Sequence, residues 1–204
     1  MPTNLREKLP LVLIILGALL LAYVSWQYGS MYLEQQRLAR EWQRQQQSLP
    51  APNAAAIPSA KPVSADDGLT RLTVPKINLD SVIVEGTSRH ALLLGPGHLK
   101  DTPVPGDDGN AVISGHRDTF FRHLHELEKG DELLVQRGGR TFHYQVIGKK
   151  IVKPTDISVI APTKDAEMTL ITCYPTYFIG PAPDRLVVFS KRIDDQPQTT
   201  AAAR

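Results

Sequence analysis

Met168-Thr169-Leu170-Ile171-Thr172-Cys173-Tyr174-Pro175 is the stretch around which this chain is organised. It is rich in Leu, Ile and Thr and is stopped by a proline, which is the pattern of a β-strand. Its last strand position holds the only cysteine in the chain. A side chain at the end of a strand is held by the sheet, yet it faces the loops that leave the rim and wall a cleft. Two readings of Cys173 compete. One is a packed small hydrophobe, since free thiols are among the most buried side chains. The other is a nucleophile, since a lone cysteine with histidine elsewhere is a candidate for that role.

Outward from this strand, short β-type runs alternate with turn residues from Leu69 onward. The candidates are 71–74, 81–84, 110–114, 132–136, 141–148, 167–173 and 185–191. Gly106-Asp107-Asp108-Gly109 and Gly138-Gly139 mark turns, the second closing a hairpin. Segments 120–128 and 155–160 each read as a turn or two of helix, the latter capped by Thr155 or Asp156. Many short strands at this spacing predict an all-β sandwich or closed barrel, and closure removes the exposed sheet edges that invite aggregation. No internal repeat is visible.

Upstream, Leu11 to Val24 is uninterrupted apolar sequence, and residues 9–26 carry no charge. At about 1.5 Å per residue that length is near the lower limit for a membrane-spanning helix. Tyr23, Trp26 and Tyr28 cluster where aromatic rings favour the lipid–water boundary. A cleaved signal peptide is the alternative, but no small-x-small cleavage site follows Leu21-Ala22-Tyr23-Val24. The expectation is an N-terminus at 1–8, an uncleaved signal anchor at 9–27, and a stalk and Pro/Ala-rich linker at 28–68. A catalytic domain at 69–193 and a disordered tail at 194–204 complete the layout. The stalk is rich in Gln, Arg and Glu and is expected to be helical; the linker cannot bury a core and reads as a tether. Arg6 and Lys8 favour a cytoplasmic N-terminus, although Arg37, Arg40 and Arg44 beyond the span weaken the charge bias.

The 204 residues suffice for one domain with a real core plus appendages. A net charge of +2 without a long basic run speaks against a nucleic-acid partner. One cysteine excludes an internal disulfide and a multi-cysteine zinc site.

Three segments carry candidate chemistry. Ala111-Val-Ile-Ser-Gly-His116-Arg117 ends a strand, and Gly115 is expected to let the backbone turn so that His116 emerges. The second is Thr169 to Cys173. In the third, Pro181-Ala-Pro-Asp-Arg185, the arginine opens a strand. All three sites lie where a strand meets a loop. A thiol of pKa about 8.5 beside an imidazole of about 6.5 can become a thiolate. The imidazole can then protonate a leaving amine, and a guanidinium can stabilise the oxyanion of acyl transfer. Each residue has a plainer reading: His116 as an exposed loop histidine, Arg185 as an edge charge beside Asp184. His98, in Gly95-Pro-Gly-His98, is the best rival base. His143 sits mid-strand, and His123 and His125 lack a third metal ligand nearby.

These residues resemble the sortase family. Thr169-Leu-Ile-Thr-Cys173 is similar to the Thr-Leu-x-Thr-Cys signature, and Ser114-Gly-His-Arg117 to the segment holding the family's histidine. Arg185 lies 12 positions after the cysteine, as in similar sortases. Val74-Pro-Lys-Ile77, Gly95-Pro-Gly-His98 and Pro105 to Asn110 also resemble the family. Tyr174-Pro175 and Gly180 to Pro183 look most like class D or the related Gram-negative type. The resemblance implies a closed eight-stranded β-barrel with short helices behind a transmembrane helix and stalk. It implies a plasma-membrane, single-pass cysteine transpeptidase, N-terminus in the cytoplasm, acting on a protein substrate with a C-terminal Leu-Pro-x-Thr-Gly-like sorting signal. An amine acceptor would resolve the thioester. By position Cys173 would be nucleophile, His116 acid/base and Arg185 the oxyanion stabiliser, with Thr172 and His98 in support. No cofactor is expected, and no acidic cluster matches the calcium site of some class A sortases. The competing expectations are a tethered non-catalytic barrel and another cell-wall thiol acyltransferase, whose Ser-His-Gly-Cys-type segment is absent.

Overall fold

In the computed structural model, which describes residues 4–48, 68–177 and 180–193, the strand expected around Cys173 is β7 (Glu167–Tyr174). It lies at the centre of a sheet that closes on itself. The other strands are β1 (Thr70–Val74), β2 (Leu79–Glu85), β3 (Gly97–His98), β4 (Asn110–Gly115), β5 (Glu132–Arg137), β6 (Arg140–Val152) and β8 (Asp184–Arg192). Around the barrel the order is β1-β2-β3-β4-β7-β8-β6-β5, and β5 pairs back to β1. The closed eight-stranded barrel expected from the family resemblance is therefore present. The Pro/Ala-rich linker over 49–67 and the tail 194–204 lie outside the described residues.

Two elements differ from expectation. The strand β3 has two residues, held by β2 on one side and β4 on the other. A Gly-Pro-Gly context carries no strand propensity, so only its neighbours make it a strand. A short helix α2 (Arg89–Leu94) precedes it, with Ser88 as N-cap accepting a 3.1 Å hydrogen bond from the Ala91 amide. The segments 120–128 and 155–160 each hold one turn of helix, within the turn or two expected, as the 3-10 turns Leu124–Glu126 and Ile157–Ile160. Asp156 caps the second through the Ser158 amide at 3.1 Å.

Alternation along β7 sets two faces. Met168 and Leu170 point into the barrel with Leu72, Ile113, Tyr144 and Val188. Ile171 faces outward against Val187, Phe189, Val159 and Ile160. Both faces of the strand are covered, so it reads as a nearly continuous apolar run. The side-chain period of two assigns Cys173 to the outward face with Ile171.

The helix α1 (Asn4–Ser48) is continuous from the apolar stretch into the stalk. Its apolar part is long enough to cross a membrane, and none of the described residues buries it. Its polar half does not stand free as a spacer. Gln35 donates to the Leu94 carbonyl and accepts from Ser81 Oγ at 3.1 Å. Gln45 Oε1 accepts from the Leu69 amide at 3.0 Å. Amide side chains donate and accept at once, which suits them to clasp an adjoining strand and helix end. Trp42 lies under the Arg71 guanidinium, 4.6 Å from the ring centre. Arg71 in turn forks onto Asp80 with two 2.6 Å bonds, and that guanidinium holds the Asp80 carboxyl below the usual carboxylate range.

Candidate active site

Strand register assembles the site. The strands β4 and β7 run parallel, with Gly115 beside Thr172. The next residues, His116 and Cys173, therefore leave adjacent strands at the same end. The strands β7 and β8 run antiparallel with Cys173 directly opposite Arg185. Directly opposed residues face the same side with Cβ atoms about 4.5–5.5 Å apart. Cys173, His116 and Arg185 thus stand at one end of three adjoining strands, on β7, just past the end of β4 and at the start of β8.

Local packing explains each position. Thr172 is buried and donates its hydroxyl to the Gly115 carbonyl at 2.8 Å, which ties β7 to β4 one residue before both reacting groups. That hydroxyl is committed, so Thr172 holds the strand ends together. Gly115 is not in the left-handed region, contrary to the expectation that it supplies a turn. Its lack of a side chain is needed for a different reason: a Cβ there would sit 2.6 Å from the ring of Phe121, which is fully buried. The Phe121 amide also donates to the His116 carbonyl at 3.0 Å. Gly115→Ala should push the ring or the strand and destabilise the fold by about 1–3 kcal/mol. A thermal melt reads that loss, and an unshifted melt would refute the packing argument.

Cys173 is a half-buried free thiol. The His116 side chain makes no hydrogen bond among the described residues and lines a cavity of about 710 Å³. Asp118 and Thr119, with Arg89 and His90 of α2 and Tyr28 and Glu34 of α1, form the remaining walls named here. Arg185 Nη1 donates to the carbonyls of Asp184 at 2.9 Å and Ala182 at 3.4 Å. The Asp184 carboxylate is taken instead by Lys153 Nζ at 2.7 Å. Arg185 is therefore not neutralised by its neighbour, and the rest of its fork stays available among the described residues.

His98 is not brought to this rim. It is 3 % exposed, pairs with the inward-facing Ile113, and lies on the core side of the sheet. Its Nδ1 meets Glu85 Oε2 at 2.9 Å and its Nε2 meets the Pro103 carbonyl at 3.0 Å. Both ring nitrogens are occupied, Nδ1 by Glu85 of β2 and Nε2 by the 99–105 loop, so neither is free for a substrate. His98 is therefore placed as a bracing side chain between β2 and the 99–105 loop, away from the strand ends that carry Cys173, His116 and Arg185. Among the described residues no three His, Cys, Asp or Glu side chains gather to hold a metal ion.

One residue near the site had drawn no role from its sequence. Arg117, beside His116, donates Nη1 to the Pro175 carbonyl at 3.1 Å and Nη2 to the Gly180 carbonyl at 2.7 Å. Both acceptors lie in the connection from β7 to β8. The only local signal was its place next to the histidine.

The chain is a closed eight-stranded barrel with a cysteine, a histidine and an arginine at adjoining strand ends. The sortase domain model matches residues 72–193, and the chain belongs to the sortase family. It is 44% identical over 123 residues to Sortase D of Bacillus subtilis, an alignment covering 60% of this chain and 62% of that protein. The chain thus aligns with somewhat less than two thirds of that relative's length. Among solved structures, a Clostridium perfringens Sortase D5 transpeptidase matches with TM-score 0.56 and 29% identity, covering 65% of this chain and 82% of that one. A Clostridium perfringens sortase C solved with the C-terminal cell wall sorting motif matches with TM-score 0.56 and 30% identity, covering 61% and 69%.

Proposed function

We propose that the chain is a membrane-anchored cysteine transpeptidase that cleaves a Leu-Pro-x-Thr-Gly-like sorting signal and transfers the amino-terminal fragment, through its newly exposed Thr carbonyl, to an amine. What supports this reading is the strand register, in which Cys173 lies opposite Arg185 and Gly115, the residue before His116, pairs with Thr172, the residue before Cys173. The Cys173 thiolate attacks the Thr carbonyl and forms a C–S bond, and the carbonyl oxygen becomes an oxyanion that the Arg185 guanidinium stabilises. Collapse breaks the Thr–Gly C–N bond, and the His116 imidazolium gives its proton to the departing amine. The thioester remains. An incoming amine loses a proton to His116, attacks the thioester carbonyl, and expels the thiolate, which restores the enzyme. Thr172 supports the site by holding β7 to β4.

The anchor is the apolar part of α1, with residues 1–8 in the cytoplasm, the span at 9–27, and the barrel of 69–193 outside. Plasma-membrane lipid is its partner there, and the acceptor is a cell-wall precursor or another protein. The apolar surface that α1 leaves uncovered supports this placement.

The test is capture of the thioester. Full-length chain in detergent is mixed with a fluorescent Leu-Pro-x-Thr-Gly-type peptide, without and then with an amine. An intact mass raised by the acyl fragment, discharged by the amine into a new amide, is the expected result. A folded barrel that never acquires that adduct from any peptide of this type would sink the reading.

A further inference from the structure

We infer that Arg117 is a positioning residue that clamps the β7–β8 connection against the His116 segment and so fixes the geometry of the rim. The inference rests on the transpeptidase reading and adds a residue to it. Arg117 follows His116 directly in sequence. Its two terminal nitrogens end on two carbonyls at opposite ends of one excursion, Pro175 and Gly180. Pro175 stands two residues after Cys173, and Gly180 five before Arg185. One guanidinium therefore joins the segment bearing the imidazole to the connection bearing the thiol at one end and the second guanidinium at the other.

The chemistry of the clamp is specific to arginine. Its planar fork presents two donors along diverging directions, whereas lysine offers a single point of charge. Both acceptors are uncharged carbonyls, and neighbouring Asp118 is not a hydrogen-bond partner among the described residues. The bonds are thus not an incidental ion pair. They are charge-assisted and hold two carbonyls that lie outside the β7–β8 ladder among the described residues. A second contact reinforces the same seam: the Tyr177 ring, 72% exposed, meets His125 edge-on at 5.8 Å. Without the clamp, the connection keeps its two strand ends but loses its fixed approach to His116. A displacement of about 1 Å in such a constellation costs on the order of 100-fold in rate.

The test uses the full-length chain in detergent and compares Arg117→Ala and Arg117→Lys with wild type. Hydrogen exchange is read first, because it reports the clamp without needing turnover. Amides of 176–184 should exchange at least about tenfold faster in Arg117→Ala, while those of β1, β5 and β6 are unchanged. Peptide kcat/KM should fall about 10- to 100-fold, with Arg117→Lys between the two and the limbs of the pH profile unmoved. Iodoacetamide should still alkylate Cys173, since no reacting group has been removed. Unchanged exchange over 176–184 overturns the inference, as does wild-type turnover in Arg117→Ala with exchange raised. A wild-type chain that never turns over would sink the transpeptidase reading instead, and the exchange data would still decide the clamp.

Discussion

Cys173→Ala is expected to abolish acyl transfer while leaving the barrel folded. The substitution removes the only sulfur nucleophile in the chain, so neither the thioester nor any product derived from it forms. Loss of the nucleophile in a comparable hydrolase lowers kcat by about a million-fold, which places the expected residual rate at the detection floor. The structural cost is small. Cys173 is half-buried at a strand end and is not part of the main core cluster. A change of this kind typically costs no more than about 1 kcal/mol, so the thermal midpoint should stay within a few degrees. Mass spectrometry of the chain with a sorting peptide checks the first half, and a melt checks the second. Turnover in the folded variant would end the nucleophile assignment. Collapse of the melt would assign the thiol to packing.

His116→Ala and His98→Ala should separate function from stability. His116 has no hydrogen-bond partner in its side chain among the described residues and faces a cavity. Its loss should lower kcat/KM by about 100- to 10,000-fold, the usual share of a general acid/base, with little change in the melt. His98 is 3 % exposed and both ring nitrogens are engaged, by Glu85 and the Pro103 carbonyl. Its loss leaves a buried carbonyl and a cavity, costing about 2–4 kcal/mol. Activity per folded molecule should then stay near wild type. Side-by-side melts and kinetics check both. Inactivity of a fully folded His98→Ala with an active His116→Ala would reverse the two roles.

The strand pattern was legible because alternation and turn chemistry are local. The expected runs at 110–114, 132–136 and 167–173 differ from β4, β5 and β7 by one residue at an end. The run at 141–148 stops short of β6, which continues to Val152. There Lys149 and Lys150 look like a loop, but they pair with Val188 and Val187 of β8 beyond a register shift near Gly148. The two-residue β3 had no propensity to read and exists through its neighbours. The helix α2 did carry a signal, in Ser88 before an Ala-Leu-Leu-Leu run, and its cap is made as such a signal implies.

The residues of the candidate site were nameable one by one, since each stands at the junction of a β-type run and a turn. What sequence could not assign was the use of their neighbours. Gly115 looked like a turn residue, but the Phe121 ring sets its identity, and that contact depends on how the following turn folds back. Arg117 looked like a flanking charge, but it reaches carbonyls 58 and 63 positions away.

The order of amino acids alone determined an apolar N-terminal span, an all-β domain after it, and a chain with a single thiol, because composition and short-range periodicity act within a few residues. Tertiary structure alone decided that His98 is turned to the core and His116 to the open rim, that the stalk lies along β2, and that Arg117 grips the β7–β8 connection. Each of these depends on which strands pair and in which register. Such pairing is settled by the joint burial of side chains far apart in the chain, and a shift of one residue would turn every one of them to the other face.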